Sequence, residues 1–270
     1  MALRCAYVDI DGTLLGPGGS LLHGAEGRPS LLGARAIEAC LRADVEVVLM
    51  SGRRRAQVAE LARLLGQRAY VFEAGAGLVV DGEATWLTGE FDPGADVTIH
   101  EQIARSGAPA LLLEHYAGRL EPHDPWHLDR DVSHLFRGLV DAFDADELLA
   151  RRGHDGLRLV DNGATRRRSP ALTDLDQVRI YHLVPIDASK AAACARHRRI
   201  RGYAAQECIA VGDSREDLGV APHVGTFWLV ANAIERDPTI RTALGPGVRV
   251  AEGSHGEGVY EAIVTTLAGG

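Results

Sequence analysis

Asp9 and Asp11 stand two residues apart where the apolar run Leu3 to Ile10 ends, and Gly12, Pro17, Gly18 and Gly19 follow closely. A short apolar run broken by Gly and Pro reads as a buried strand running into a turn. An ionised carboxylate buried without a partner is costly, so two acids at a strand end need a reason. Residues two apart start from the same strand face. Two carboxylates converging there suit a hard cation such as Mg²⁺, which takes oxygen ligands. The competing reading is an Asp-rich turn in which Asp11 bonds its own backbone.

Other strand ends carry polar residues that a core would not select. Ser51-Gly52-Arg53 follows the apolar run Val45 to Met50, and Gly212-Asp213-Ser214 follows Glu207 to Val211, with Asp217 four residues beyond Asp213. In an open parallel sheet, ligands bind outside the carboxyl ends of the strands. Ser51 and Gly52 at a helix start would offer a hydroxyl and backbone N–H groups to an anion. Lys190, at the start of a helix capped by Asp187 or Ser189, would aim an ammonium at a phosphate. Four acids at one place repel one another unless a divalent cation neutralises them. The parts list is a nucleophilic carboxylate, a second carboxylate, a metal, a hydroxyl and a lysine around a phosphate-sized gap. Phosphoryl transfer asks for such positioning and charge neutralisation.

The elements that must position these groups alternate strand and helix. Strands are expected at Leu3–Ile10, Val45–Met50 and Tyr70–Phe72, then a hairpin of Leu78–Val80 with Thr85–Leu87. Helices are expected from Ser30 to about Leu41 and up to Leu65. The rhythm is that of a parallel sheet covered by helices. It breaks near Thr88 and resumes at about Asp187, with strands at Glu207–Val211, Gly225–Val230 and Val248–Ala251 and a closing helix at Gly258–Leu267. Between the two halves lie weak helical patterns at Val97–Arg105, Val132–Ala142 and Asp146–Arg151, and strand-like runs at Leu157–Asp161 and Val178–Val184. The expected fold class is α/β. A Rossmann-like, doubly wound parallel core formed by residues 1–87 and 186–270 carries an inserted α+β cap domain of residues 88–185, a size common for a small domain.

Composition narrows the function classes. The 270 residues are 46% apolar, 24% charged and only 5% aromatic, with a formal net charge of -8. A sparse aromatic content and an acidic balance argue against nucleic acid as a partner. No apolar run approaches the ~20 residues that span a membrane. The chain enters its first strand without a charged leader, and Cys5, Cys40, Cys194 and Cys208 show no CxxC spacing. Free thiols and a cytoplasmic location are expected.

With these residues in place, the chain resembles the haloacid dehalogenase superfamily, in the order of its four motifs. Asp9-Ile10-Asp11-Gly12-Thr13 matches DxDGT, Ser51 the second motif, Lys190 the third, and Gly212-Asp213-Ser214-Arg215-Glu216-Asp217 the fourth, GDxxxD. The insertion point resembles that of the Cof-type branch. Ser51-Gly52-Arg53 and Phe72-Glu73-Ala74-Gly75-Ala76 are similar to the mannosyl-3-phosphoglycerate and sucrose-phosphate phosphatases. The resemblance implies a Mg²⁺-dependent phosphatase of a small phosphomonoester, a sugar phosphate or sugar-acid phosphate. Asp9 would be the nucleophile that forms an aspartyl-phosphate, and Asp11 the general acid and then base. Ser51, Gly52 and Lys190 would hold the phosphate. Asp9, the Asp11 carbonyl and Asp213 would ligate Mg²⁺, with Asp217 in support. A phosphomutase shares this order and is the neighbouring alternative; a binding module on the same fold is the distant one. Glu216 departs from the Asn that many relatives carry, and Phe227-Trp228-Leu229-Val230 is bulkier than usual.

Arg53, beside Ser51, and the cluster Arg166-Arg167-Arg168 are the candidate grips for the rest of the substrate; for the cluster a solvated loop is the competing reading. Arg54 and Arg55 are expected on a helix surface. The histidines of the insert lack HExxH spacing, and His123-Asp124-Pro125-Trp126-His127 reads as a loop rather than a zinc site. Glu114 and His115 are candidates for the cap's substrate face.

Overall fold

Runs such as Ala6-Tyr7-Val8 and Val47-Val48-Leu49-Met50 are apolar on both strand faces, which is stable only where helices cover both sides of a sheet. The computed structural model describes residues 2–165 and 169–269. The first part of the chain forms β1 (Cys5–Asp9), β2 (Glu46–Met50), β3 (Ala69–Phe72), β4 (Gly77–Val80) and β5 (Glu83–Trp86). The middle forms β6 (Leu120–Pro122), β7 (His134–Gly138), β8 (Leu157–Thr165) and β9 (Val178–Pro185). The last part forms β10 (Cys208–Gly212), β11 (Thr226–Leu229) and β12 (Val248–Val250). The helices are α1 (Leu32–Arg42), α2 (Arg55–Leu64), α3 (Ile99–Ser106), α4 (Ala108–His115), α5 (Ala142–Arg151), α6 (Lys190–Arg201), α7 (Arg215–Leu218), α8 (Ala231–Arg236) and α9 (Gly256–Ala268).

The main sheet has the order β12-β11-β10-β1-β2-β3-β4-β5. It is parallel from β12 to β3, and β4 and β5 turn back antiparallel. One face, with Ala6, Val8, Val47, Leu49, Ile209 and Val211, packs on α1, α2 and α9. The other, with Cys5, Tyr7, Val48, Met50, Cys208 and Ala210, packs on α6. Alternation along β1 therefore puts Asp9 on the α6 side, and α6 begins with Lys190. That geometry follows from the period of two.

The middle of the chain forms a separate antiparallel sheet, β6-β7-β9-β8. Ile99, Ile103, Leu112, Leu148 and Leu149 of α3, α4 and α5 cover one face, against Phe136, Leu159, Tyr181 and Leu183. The opposite face carries Ile180 and His182 toward the carboxyl ends of the main sheet.

Val132–Ala142 is not a helix. Val132, Leu135, Phe136, Leu139 and Val140 do repeat at helical spacing, but the segment contains β7, paired to β6 on one side and β9 on the other. A central place in a sheet overrides the local period. Three further elements were not expected: α4, β6 and α8. Arg166, Arg167 and Arg168 lie outside the described residues. Among the described residues, no helix is long and apolar enough to cross a membrane.

Candidate active site

The register of the main sheet brings three strand ends together. β1 lies between β10 and β2, with Val8 opposite Val211 and Asp9 opposite Met50. Asp9, Asp213 and Ser51 are consequently neighbours at one edge, and all three are buried. They line a cavity of about 480 Å³ together with Asp11, Gly52, Arg53, Lys190 and Asp217.

Lys190 is the hub. Its ammonium is buried and donates to Asp9 Oδ1 at 2.7 Å and to Asp217 Oδ1 at 2.6 Å. Glu216 Oε2 stands 3.3 Å from the same nitrogen, and Glu216 Oε1 accepts the Lys190 backbone N–H. Burial works against charge on Lys190, but Asp217, Asp9 and Glu216 outweigh it and hold the ammonium well above its usual range. Glu216, the departure in the fourth motif, thus serves the lysine. The close approach of α6 depends on Gly75, whose φ is +95°; a side chain there would run into the backbone of Ser189 and Lys190.

Asp217 caps its own turn: Oδ2 accepts from the N–H groups of Asp213 and Ser214 and from Ser214 Oγ. Asp9 is pushed up to about 7 by burial and by Asp217, against the pull of Lys190. Its second oxygen, Oδ2, is buried with no hydrogen-bond partner among the described residues. Carboxylate oxygens of Asp9, Asp213 and Asp217 lie within 4.8 Å of one another. Arg236 from α8, which the sequence did not flag, is ion-paired with Asp213. The formal charges of Asp9, Asp213, Glu216 and Asp217 against those of Lys190 and Arg236 leave two negative charges. An orphaned carboxylate oxygen, an all-oxygen donor set and that residual charge fit a hard divalent cation.

Asp11 is placed differently. Its side chain is 49% exposed and gripped by Arg53, with Nε on Oδ2 at 2.7 Å and Nη2 on Oδ1 at 2.5 Å. Ser51 Oγ accepts the Arg53 N–H at 3.0 Å. Arg53, expected beside the substrate, therefore lines the cavity while holding the second carboxylate.

The far side of the cavity comes from the middle of the chain: His123, Trp126, Arg130, Leu135, Asn162, Ile180 and His182. Arg130 is buried and donates through Nη2 to the Gly52 carbonyl and through Nε to Ser133 Oγ at 2.9 Å. Glu73, directly after β3, is fully buried and accepts the N–H groups of Asp131, Val132 and Ser133 at 2.8, 3.2 and 2.6 Å, and the Ser133 hydroxyl at 2.8 Å. Arg54, expected at the surface, reaches the Leu128 carbonyl and Asp129. Glu114 and His115 are exposed on α4 and do not line the cavity. Arg130 and His182 escaped the sequence reading, and His123 was read only as part of a loop, because their neighbours across the cavity are remote in the chain; only His182 gave a local signal, a polar residue inside the otherwise largely apolar strand β9.

The fold recurs in solved structures. A sucrose-phosphatase from Synechocystis, in complex with sucrose and phosphate, superimposes with a TM-score of 0.69 over 98% of both chains at 14% identity. A haloacid dehalogenase-like hydrolase from B. subtilis gives 0.60 over 97% of this chain and 99% of its own at 17% identity. The architecture is that of the capped haloacid dehalogenase-like hydrolases. No family model matches the chain. Its sequence is 30% identical over 234 residues to a phosphoglycolate phosphatase of Halorubrum lacusprofundi, covering 84% of this chain and 83% of that one. It is 26% identical over 260 residues to a phosphoglycolate phosphatase of Archaeoglobus fulgidus, covering 96% and 95%. The chain belongs to the haloacid dehalogenase-like hydrolases, as a phosphatase of small phosphomonoesters.

Proposed function

We propose that the protein hydrolyses a sugar phosphate or sugar-acid phosphate through an aspartyl-phosphate on Asp9. The observation that carries this reading is Lys190, buried between Asp9 and Asp217 at a cavity shared with Ser51 and Asp11. Asp9 attacks phosphorus, the bond to the ester oxygen breaks, and Asp11 delivers a proton to the leaving oxygen. Asp11, now a carboxylate, takes a proton from water as that water attacks the phosphorus, freeing phosphate and restoring Asp9. Its exposure suits a group that must meet both substrate and solvent. Ser51 Oγ, the Gly52 N–H and Lys190 Nζ hold the phosphoryl oxygens. Asp9, Asp213 and the Asp11 carbonyl would hold Mg²⁺, with Asp217 orienting the 213–214 backbone. When bound, the cation would supply charge neutralisation among the acids and the phosphoryl oxygens. Residues 88–185 act as the cap that excludes water and selects the leaving group.

The test is phosphate release from a panel of phosphorylated sugars and sugar acids that includes 2-phosphoglycolate, with Mg²⁺ present. Release that depends on Asp9 supports the reading. An isomerised sugar phosphate without free phosphate would make the protein a mutase instead. No turnover of any ester, a generic aryl phosphate included, would overturn it.

A further inference from the structure

A count of protons between the two sheets fixes the state of one cavity residue, His182. The Glu73 carboxylate is ringed by donors, three backbone N–H groups and the Ser133 hydroxyl, so it accepts throughout. Ser133 has one proton to give, and Glu73 receives it. Its oxygen is then an acceptor, and it takes the Nε–H of Arg130, a group that can only donate. His182 Nδ1 lies 3.3 Å from the same oxygen. With the hydroxyl proton spent on Glu73, that contact bonds only if Nδ1 carries the ring's proton.

The ring is also neutral. His182 is 1% exposed, and burial together with Arg130 and Lys190 holds it well below the usual histidine range. A neutral imidazole protonated at Nδ1 presents Nε2 as a bare acceptor. Nε2 sits directly against Gly52, where a β-carbon would come within 2.6 Å, and Asn162 Nδ2 would be 3.3 Å from the same point. Both residues line the cavity beside the groups that hold the phosphate. An acceptor and an amide side by side match a hydroxyl, which can donate to one and accept from the other. A carboxylate in that place would set lone pair against lone pair.

We propose that His182 determines specificity by accepting a hydrogen bond from a hydroxyl next to the ester-bearing carbon of the leaving group, with Glu73 and Ser133 as positioning residues that fix its tautomer. The substrate class is a vicinal hydroxy phosphomonoester, of a polyol, sugar or hydroxy acid. The inference rests on the phosphatase reading above and narrows it.

The experiment compares kcat/KM for glycerol 1-phosphate, propyl phosphate and 2-phosphoglycolate, with p-nitrophenyl phosphate as control. The wild type is expected to favour glycerol 1-phosphate over propyl phosphate by ~10–100-fold, the range of one or two buried hydrogen bonds, and to favour it over 2-phosphoglycolate. His182→Phe should bring the first ratio near unity, the loss falling on glycerol 1-phosphate far more than on propyl phosphate or the aryl ester; His182→Leu, which likewise offers no acceptor, serves if the Phe variant does not fold. Ser133→Ala should lower the same ratio. Imidazole nitrogen NMR of the wild type should show the His182 proton on Nδ1, a signature that a purely structural role would not require. A proton on Nε2, an absent hydroxyl preference, a preference for 2-phosphoglycolate, or equal losses on all esters in His182→Phe would each overturn the proposal. Failure to turn over p-nitrophenyl phosphate would instead strike the phosphatase reading itself.

Discussion

The two walls of the cavity are built by different means. On the core side, Asp9, Ser51 and Asp213 sit at the ends of adjacent parallel strands, and the ladder register alone brings them together. On the cap side, Arg130 comes from a loop, His182 from mid-strand and Asn162 from the irregular stretch of β8, where the pairing shifts between Asp161 and Ala164. Parallel strands with a fixed order make a rigid frame for chemistry that is the same for every phosphate ester. A sheet that meets the core through a few polar contacts can change its residues without disturbing that frame. Under the proposed function, groups common to all substrates are expected on the first wall and groups that choose among substrates on the second.

The sharpest way to break this division is to strike one wall and find the other's effect. Asp9→Asn keeps size and removes the proposed nucleophile, so turnover of natural and aryl esters alike is expected to vanish in a phosphate-release assay; residual activity near wild type would end the proposed mechanism. Chelation comes next. Excess chelator should abolish activity on every ester, Mg²⁺ should restore it and Ca²⁺ should not, because Ca²⁺ takes longer bonds and more ligands. Asp11→Asn should slow all esters by ~10²–10⁴-fold, the usual span for a lost acid–base group; a loss confined to one ester would move Asp11 to the selective wall.

A smaller effect is expected where the walls join. Arg130 Nε lies 3.8 Å from Glu73 Oε2 and both side chains are buried, so Glu73→Gln leaves Arg130 buried without its carboxylate and should lower unfolding free energy by about 3 kcal/mol, at the low end for breaking a buried pair, as measured by urea denaturation. Activity per folded molecule on the aryl ester should stay close to wild type. The last effect concerns acid. His134 stacks on His100 within the cap, and burial, then His100, push it down to about 4. The folded ring stays neutral while the unfolded one protonates near ~6.5, so protons favour unfolding in that window. Stability is full above the higher value and falls as pH drops toward the lower one. Melting temperature should follow that slope, and His134→Gln should flatten it.

How much of this could be read from the chain follows the same division. Asp9, Ser51, Lys190 and Asp213 were legible because each stands where an apolar run meets a turn or a helix start, and the sheet's register does the rest. The α/β class was legible from the alternation of such runs with helices. Glu73 was named only within the Phe72-to-Ala76 motif and its role was not legible, since its partners lie about sixty residues away in the loop that leads into β7. Arg236 was hidden in a short helix whose role depends on where α8 lands. The β7 segment misled because its apolar residues satisfy the helical period while its neighbours impose a strand. Local pattern carries what one sheet determines; contacts between two sheets leave no local pattern.

Glu73 also gives the molecule an internal clock. The amide hydrogens of Asp131, Val132 and Ser133 are tied to a residue of the core although they belong to the cap's side of the cavity. Solvent deuterium can replace them only when the two sheets part or unfold, so their exchange times that event, apart from the breathing of either sheet alone. A bound ester that holds the walls together would slow those three positions while leaving the interior of each sheet ticking as before.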